Sequence, residues 1–158
     1  MMKIYLYQIG KTSFSFVREG EKMYIERINR FTKFEQVTIP SLKKGNKLSE
    51  GDIKKREGEL ILQKISSKDY LVLLDDKGKS YTSLAFAEYI KDKQNYLPNN
   101  LIFLIGGAYG FSAAVYQRAD AKISLSKMTF SHQIIRIVFL EQLYRAFSII
   151  KGGPYHHE

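Results

Sequence analysis

Two short stretches, Tyr70 to Leu74 and Leu101 to Ile105, are apolar at essentially every position and are too short to be buried helices. A strand with no polar face must be covered on both sides, which a parallel sheet between helical layers achieves. The rest of the chain agrees with that demand. Lys3 to Ile9 alternates apolar and polar side chains up to Gly10-Lys11, Phe34 to Ile39 is strand-like and closed by Pro40, and Lys122 to Ser126 forms a further short run. Between them the spacing predicts helices over Val17 to Phe31, Asp52 to Ile65, Leu84 to Lys91, Ser112 to Ala119 and His132 to Ile150. Ser13 or Ser15, Ser83 and Ser131 are the candidate caps, Asp75-Asp76-Lys77-Gly78 reads as a turn, and Gly152-Gly153-Pro154 ends the last helix. The expected fold is therefore α/β: a three-layer sandwich around a mainly parallel sheet of about five strands.

A chain of 158 residues suffices for one hydrophobic core, and no repeat or linker divides it, so residues 1–158 are expected to form a single domain. The formal charge is +9 and the isoelectric point about 9.6, which favours a polyanionic partner, nucleic acid first. Much of the excess lies in Ser41 to Lys68, with eight Lys or Arg against four Asp or Glu. Ser41 to Glu50 reads as a mobile basic loop. The chain has no cysteine, so disulfides and thiolate sites are excluded, and the neighbouring His156 and His157 lack further ligands, so no metal is expected. No stretch approaches the ~20 apolar residues of a membrane span. Met1 to Gly10 has no secretory pattern, and the expectation is a soluble cytoplasmic protein.

Two turns could carry chemistry. Gly106-Gly107-Ala108-Tyr109-Gly110 follows a buried strand, and its glycines admit a close ligand. Adjacent glycines are not the dinucleotide fingerprint, and the lysine and hydroxyl of a P-loop are missing, so the turn is either a tight connection or a cofactor site. Leu125-Ser126-Lys127-Met128-Thr129-Phe130 offers hydroxyls, amides and a cation before a helix N-terminus, which suits a carboxylate-bearing cofactor or is a simple strand-to-helix link. In an open α/β sheet both turns belong beyond the carboxyl ends of strands, where ligands bind. His132 and Arg136 are four apart at the start of the long helix, suited to phosphate contact or to a solvated face; Glu141 and Arg145 read as a helical ion pair.

Taken together, Ile105-Gly106-Gly107, the Ser126 to Phe130 turn, His132-Gln133, Arg136, Glu141 to Ala146 and the closing Tyr155-His156 resemble the ribosomal RNA large subunit methyltransferase H family. The similarity runs from Gly10-Lys11 through Glu57-Gly58 to the terminus. It implies a SPOUT-type α/β fold with a trefoil-knotted C-terminal region, an obligate homodimer, and S-adenosylmethionine-dependent methylation of N3 of a pseudouridine in 23S rRNA of the ribosome. By the resemblance, Leu74, Gly106, Leu125, Ser126, Lys127, Met128, Thr129 and Phe130 hold the methyl donor. Tyr155, His156 and Arg136 form the catalytic set. Ser131 departs from the proline common before that histidine, and Ala108-Tyr109 with Phe111-Ser112 departs in the glycine turn.

N3 must lose its proton before it can attack the methyl group. His156 is the expected base, Tyr155 an orienting or stacking group, and Arg136 or Lys127 a stabiliser of negative charge. Lys43, Lys44, Lys47, Lys54, Lys55, Arg56 and His132 are the expected rRNA contacts. The long terminal helix, apolar through Ile134, Ile135, Ile137, Val138, Phe139 and Leu140, is the expected dimer interface. The competing reading is a noncatalytic RNA- or ribosome-binding protein, with a nicotinamide or flavin oxidoreductase third.

Overall fold

The structure, a computed structural model, describes residues 2–42 and 48–157. Five strands form one sheet in the order β2-β1-β4-β3-β5: β1 (Ile4–Ile9), β2 (Phe34–Ile39), β3 (Tyr70–Ser80), β4 (Leu101–Ile105) and β5 (Ala121–Ser124). Every adjacent pair is parallel. The register aligns Leu74 with Ile105 and Gln8 with Ile105, so the pairing of β4 with both β1 and β3 stops at one level.

The two apolar runs occupy the middle of the sheet, and their alternation divides the core. Leu101, Phe103, Ile105 and Val72 join Ile4 and Leu6 under α1 (Ser15–Ile28), α3 (Ser83–Tyr96) and α5 (Ile134–Ile150). Ile102, Leu104, Leu71 and Leu73 face the other way with Tyr7 and Ile9, and are covered by Ile61 of α2 (Glu50–Lys64) and Val115 of α4 (Ala113–Arg118). This is the three-layer sandwich that strands without a polar face require.

Several local expectations are corrected. Strand β3 resumes beyond Asp75 to Gly78 and runs on to Ser80: Leu74 and Lys79 both pair with Ile123, so the four residues expected as a turn bulge out of the ladder between them. Gly78 is pressed against β5, where a Cβ would lie 2.7 Å from the Ile123 backbone nitrogen. Thr82, rather than Ser83, caps α3 by accepting from the Ala85 amide at 3.1 Å, and Ser83 instead donates to Gln142 of α5. Neither Ser13 nor Ser15 caps α1, whose N-cap is Phe14 without a side-chain bond. Ser131 accepts from the Ile134 amide at 3.1 Å, but α5 begins only at Ile134 because residues 132 and 133 form the preceding turn.

The end of α5 is set as expected. Gly152 takes a φ of +72°, its amide bonds Ile149 O, and that of Gly153 bonds Ser148 O, the paired bonds of a left-handed helix stop. Gly20 has a packing reason: a Cβ there would collide with Ile137, so its absence lets α5 lie close against α1. Helix α5 packs on both α1 and α3, while β5 lies at the sheet edge beyond β3. The chain leaving β5 must therefore pass the β3–α3 connection to reach the place of α5. Phe139 and Leu140, expected at a dimer interface, are fully buried in the chain's own core; Ile134, Ile135, Ile137 and Val138 are partly exposed.

Candidate cofactor cavity and active site

At the carboxyl end of the sheet, the ends of β3, β4 and β5 open into one cavity of about 380 Å³. That volume lies in the range of small-molecule sites. Its walls come from three places: Leu74 to Lys77 of β3, Ile105 to Ala108 with Gly110 and Phe111 after β4, and Leu125, Ser126, Met128, Thr129 and Phe130 after β5. The two turns singled out in the sequence thus share one cavity. Tyr116 of α4 and His132 and Ile135 at the start of α5 complete it.

Local bonds shape each wall. The glycine turn closes through the Gly110 amide on Gly107 O at 3.1 Å, with Gly110 at a φ of +81°. Gly106 lies under the Phe111 ring, where a Cβ would come within 3.1 Å of an edge carbon, and a Cβ on Gly107 would sit 2.7 Å from Glu57 Oε1. A side chain at Gly106 would press on the Phe111 ring, and one at Gly107 would displace the Glu57 carboxylate. Ser124 Oγ donates to Ser126 O, and Ser126 Oγ accepts from the Met128 amide, which folds the second turn over the opening. Met128 and Phe130 are exposed there.

Of the expected donor-binding residues, Leu74, Gly106, Leu125, Ser126, Met128, Thr129 and Phe130 line the cavity, whereas Lys127 is exposed and outside the lining. His132, expected on rRNA, also lines it. Partial burial and then the charge of Arg136 push its pKa below the ordinary histidine value, so near neutral pH it is an uncharged imidazole rather than a phosphate cation.

Arg136 is not a cavity residue. It is fully buried and its guanidinium donates to Ile9 O at 2.8 Å, Gly10 O at 3.0 Å, Thr12 Oγ1 at 3.0 Å and His132 O at 2.9 Å. With four of its five N–H donors committed to three carbonyls and a hydroxyl, it fastens the end of β1 to the start of α5, away from the cavity lining. The surrounding polar groups belong to the same knot of bonds: Thr12 donates to Glu21 Oε2, and Gln36 bridges Glu21 and Gln8.

The C-terminal tail is elsewhere in the chain. Tyr155 packs edge-on against Tyr144 at 4.7 Å and donates to Glu141 Oε1 at 3.0 Å. Burial, followed by the hydrogen bonds with Tyr24 and Glu141, raises its pKa. Arg145 pairs with Glu141, as the spacing implied, and bonds His156 Nδ1 at 3.2 Å. An arginine is always the donor, so Nδ1 accepts and the neutral ring carries its proton on Nε2. This geometry argues against His156 as the proton acceptor. From Ile135 at the cavity wall to Glu141, moreover, helix α5 rises roughly 9 Å at 1.5 Å per residue, and among the described residues none of the tail lines the cavity.

Lys54, Lys55 and Arg56 occupy the turn of α2 just before Glu57, which abuts the glycine turn; none of the three lines the cavity. Lys43, Lys44 and Lys47 lie outside the described residues. Sequence reasoning missed Asp75, Tyr116, Phe111 and Glu57. Asp75 was hidden by its reading as a turn residue. Glu57 gave a usable signal, a carboxylate at a core-facing helical position next to Ile53 and Ile61. Burial raises its pKa, only partly offset by the Leu42 amide. Among the described residues no group of three or more metal-ligating side chains occurs, and no helix is long and apolar enough to cross a membrane.

Residues 2–156 match the family model described as predicted SPOUT methyltransferase. The chain is 51% identical over 157 residues to ribosomal RNA large subunit methyltransferase H of Parabacteroides distasonis, covering 99% of this chain and all of the relative. It is 53% identical over 156 residues to the protein of that name from Christiangramia forsetii, covering 99% of each, and 52% over 156 residues to that of Cytophaga hutchinsonii, covering 99% of this chain and all of the relative. A full-length match of a family model and identities near one half leave one conclusion: this chain belongs to the SPOUT methyltransferase family.

Proposed function

We propose that the chain is an S-adenosylmethionine-dependent methyltransferase that methylates N3 of a pseudouridine in 23S rRNA of the ribosome, working in the cytoplasm as a homodimer. The observation that carries this reading is the meeting of Leu74, Gly106 and the 125–130 turn around one cavity. The relatives' names supply the substrate class. The residues fit the donor: glycine backbone for close approach, apolar Leu74, Ile105 and Leu125 for a flat heterocycle, and amides and hydroxyls for polar ends. When bound, the donor supplies an electrophilic methyl group on a sulfonium.

The protein's part is alignment and proton handling. Orientation alone contributes roughly 7–11 kcal/mol when reacting atoms are held in attack geometry. His132, neutral at the cavity wall, is the acceptor suited to the N3 proton, and Lys54, Lys55 and Arg56 bind rRNA phosphates. Tyr155 and His156 serve a cavity from a second copy of the chain, because in their own chain they lie along α5 away from it. There His156 presents an Nε2–H donor and Tyr155 an aromatic face.

Titration calorimetry with S-adenosylmethionine, followed by single-turnover transfer of labelled methyl to large ribosomal subunits or assembled ribosomes lacking the modification, tests the reading. Binding near one donor per occupied cavity and label at N3, seen as a reverse-transcription stop, are expected. Tight rRNA binding with no donor binding would instead establish a noncatalytic RNA-binding protein.

A further inference from the structure

Asp75 is the one carboxylate in the cavity wall whose oxygens are both held by neighbours. Its Oδ1 accepts from the Lys77 amide at 3.0 Å and its Oδ2 from the Tyr116 hydroxyl at 2.7 Å. Tyr116 is itself fixed, edge-on to Phe111 at 5.6 Å and with Lys122 Nζ 5.7 Å from its ring centroid. Phe111 rests in turn on Gly106. A chain of contacts therefore runs from the glycine turn through α4 to a carboxylate at the end of β3, all on the cavity wall.

A carboxylate has about four lone-pair directions, two on each oxygen. Here the Lys77 amide uses one on Oδ1 and the Tyr116 hydroxyl one on Oδ2; the exposed Asp76 side chain also bonds to the group, and a bound diol would take its place. Two acceptors a carboxylate's width apart match two neighbouring hydroxyl donors, the vicinal diol of a ribose. The group is ionised: burial opposes the charge, but the Lys77 amide, the Tyr116 hydroxyl, the Asp76 side chain and nearby Lys122 outweigh it and bring the pKa below the ordinary aspartate value. The same bond, with burial first, pushes the Tyr116 pKa up to about 12, so the phenol stays a donor. Asp76 and Lys77 also line the cavity but are exposed.

We infer that Asp75, held by Tyr116, is the ribose-binding acceptor of the cavity and selects a nucleoside-bearing donor through its 2′,3′-diol. The inference rests on the methyltransferase reading and adds a charged side-chain contact to the donor-binding residues expected from the sequence. Asp75 touches the ligand; Tyr116 is a positioning residue acting through it.

The test is calorimetric, with purified full-length protein. Probes are S-adenosylmethionine, 5′-methylthioadenosine, which keeps the diol but lacks the sulfonium charge and the amino acid, and the 2′-deoxy form of the latter. Asp75→Asn is expected to weaken the first two by the same factor, about 10- to 100-fold, the range of a lost charge-assisted hydrogen bond. The 2′-deoxy probe should bind wild type weakly and be little affected by the substitution, since both remove the same contact. Tyr116→Phe keeps the ring on Phe111 and should give a smaller loss on both diol probes, with an unchanged melting temperature of the ligand-free protein.

If Asp75→Asn weakened only S-adenosylmethionine, the carboxylate would be reading positive charge, and the inference would be overturned while the methyltransferase reading stood. Equal binding of all probes by wild type and variant would overturn it in the same way. Wild type that bound none of the probes would overturn both.

Discussion

Arg136 shows how one residue's role depends on where its donors point. At the sequence level it shares a helix face with His132 and looks available to phosphate; in the fold it is buried and bonded to Ile9 O, Gly10 O, Thr12 Oγ1 and His132 O. Arg136→Met should destabilise the protein by about 3–5 kcal/mol, because buried carbonyls lose their donors and Glu21 its nearby cation. Urea unfolding measures this, and Arg136→Lys should recover only part, since an ammonium cannot fork to three carbonyls. His132 makes a pH prediction. Its folded pKa is depressed by partial burial and by Arg136, so its contribution is fully present above the unfolded value and is lost as pH falls through the folded one. Between about pH 7 and pH 5 the wild type should therefore lose more stability than His132→Gln, whose melting curves should be flatter.

Elements were legible where periodicity is strong and were misjudged where a boundary rests on one cap. The apolar runs of β3 and β4 could only be central strands, and both are. Helix α2 begins at Glu50 rather than Asp52 because Ser49 and Asp52 form a reciprocal capping box, with Asp52 Oδ2 on the Ser49 amide at 3.2 Å and Ser49 Oγ accepting from the Asp52 amide at 3.1 Å. The cue was in the sequence, but Asp at the third helical position is a weaker marker than Glu or Gln. Ser49→Ala should cost about 1 kcal/mol in thermal or urea unfolding. The loss should also weaken rRNA binding, because α2 carries Lys54, Lys55 and Arg56 and sets Glu57 against Gly107. The turn composition of Asp75 to Gly78 has its counterpart in the fold: Leu74 and Lys79 both pair with Ile123, so the four residues between them bulge out of the ladder before pairing with β5 resumes.

For the molecule as a whole, the separation of tail and cavity matters most. Tyr155 and His156 are bound along α5 by Glu141, Tyr144 and Arg145, and among the described residues none of the tail lines the cavity of its own chain. If a second copy supplies the tail, mixing a His156→Ala chain with a Gly106→Val chain should restore methyl transfer that neither has alone. Light scattering should show a dimer at micromolar concentration. A monomer, or mixing without recovery, would remove the tail from the reaction. Sequence alone determined the class of the fold, the two faces of the central strands and the two turns that bear the cavity, because each follows from local periodicity or from glycine's missing side chain. Only the tertiary structure decided that β4 inserts between β1 and β3, that Arg136 is a buried fastener, that Tyr116 holds Asp75, and that the tail lies apart from its own cavity. Those facts depend on pairs of groups far apart in the chain, brought together by the packing of β5 and α5, and no local pattern of residues encodes which distant carbonyl or carboxylate a side chain will meet.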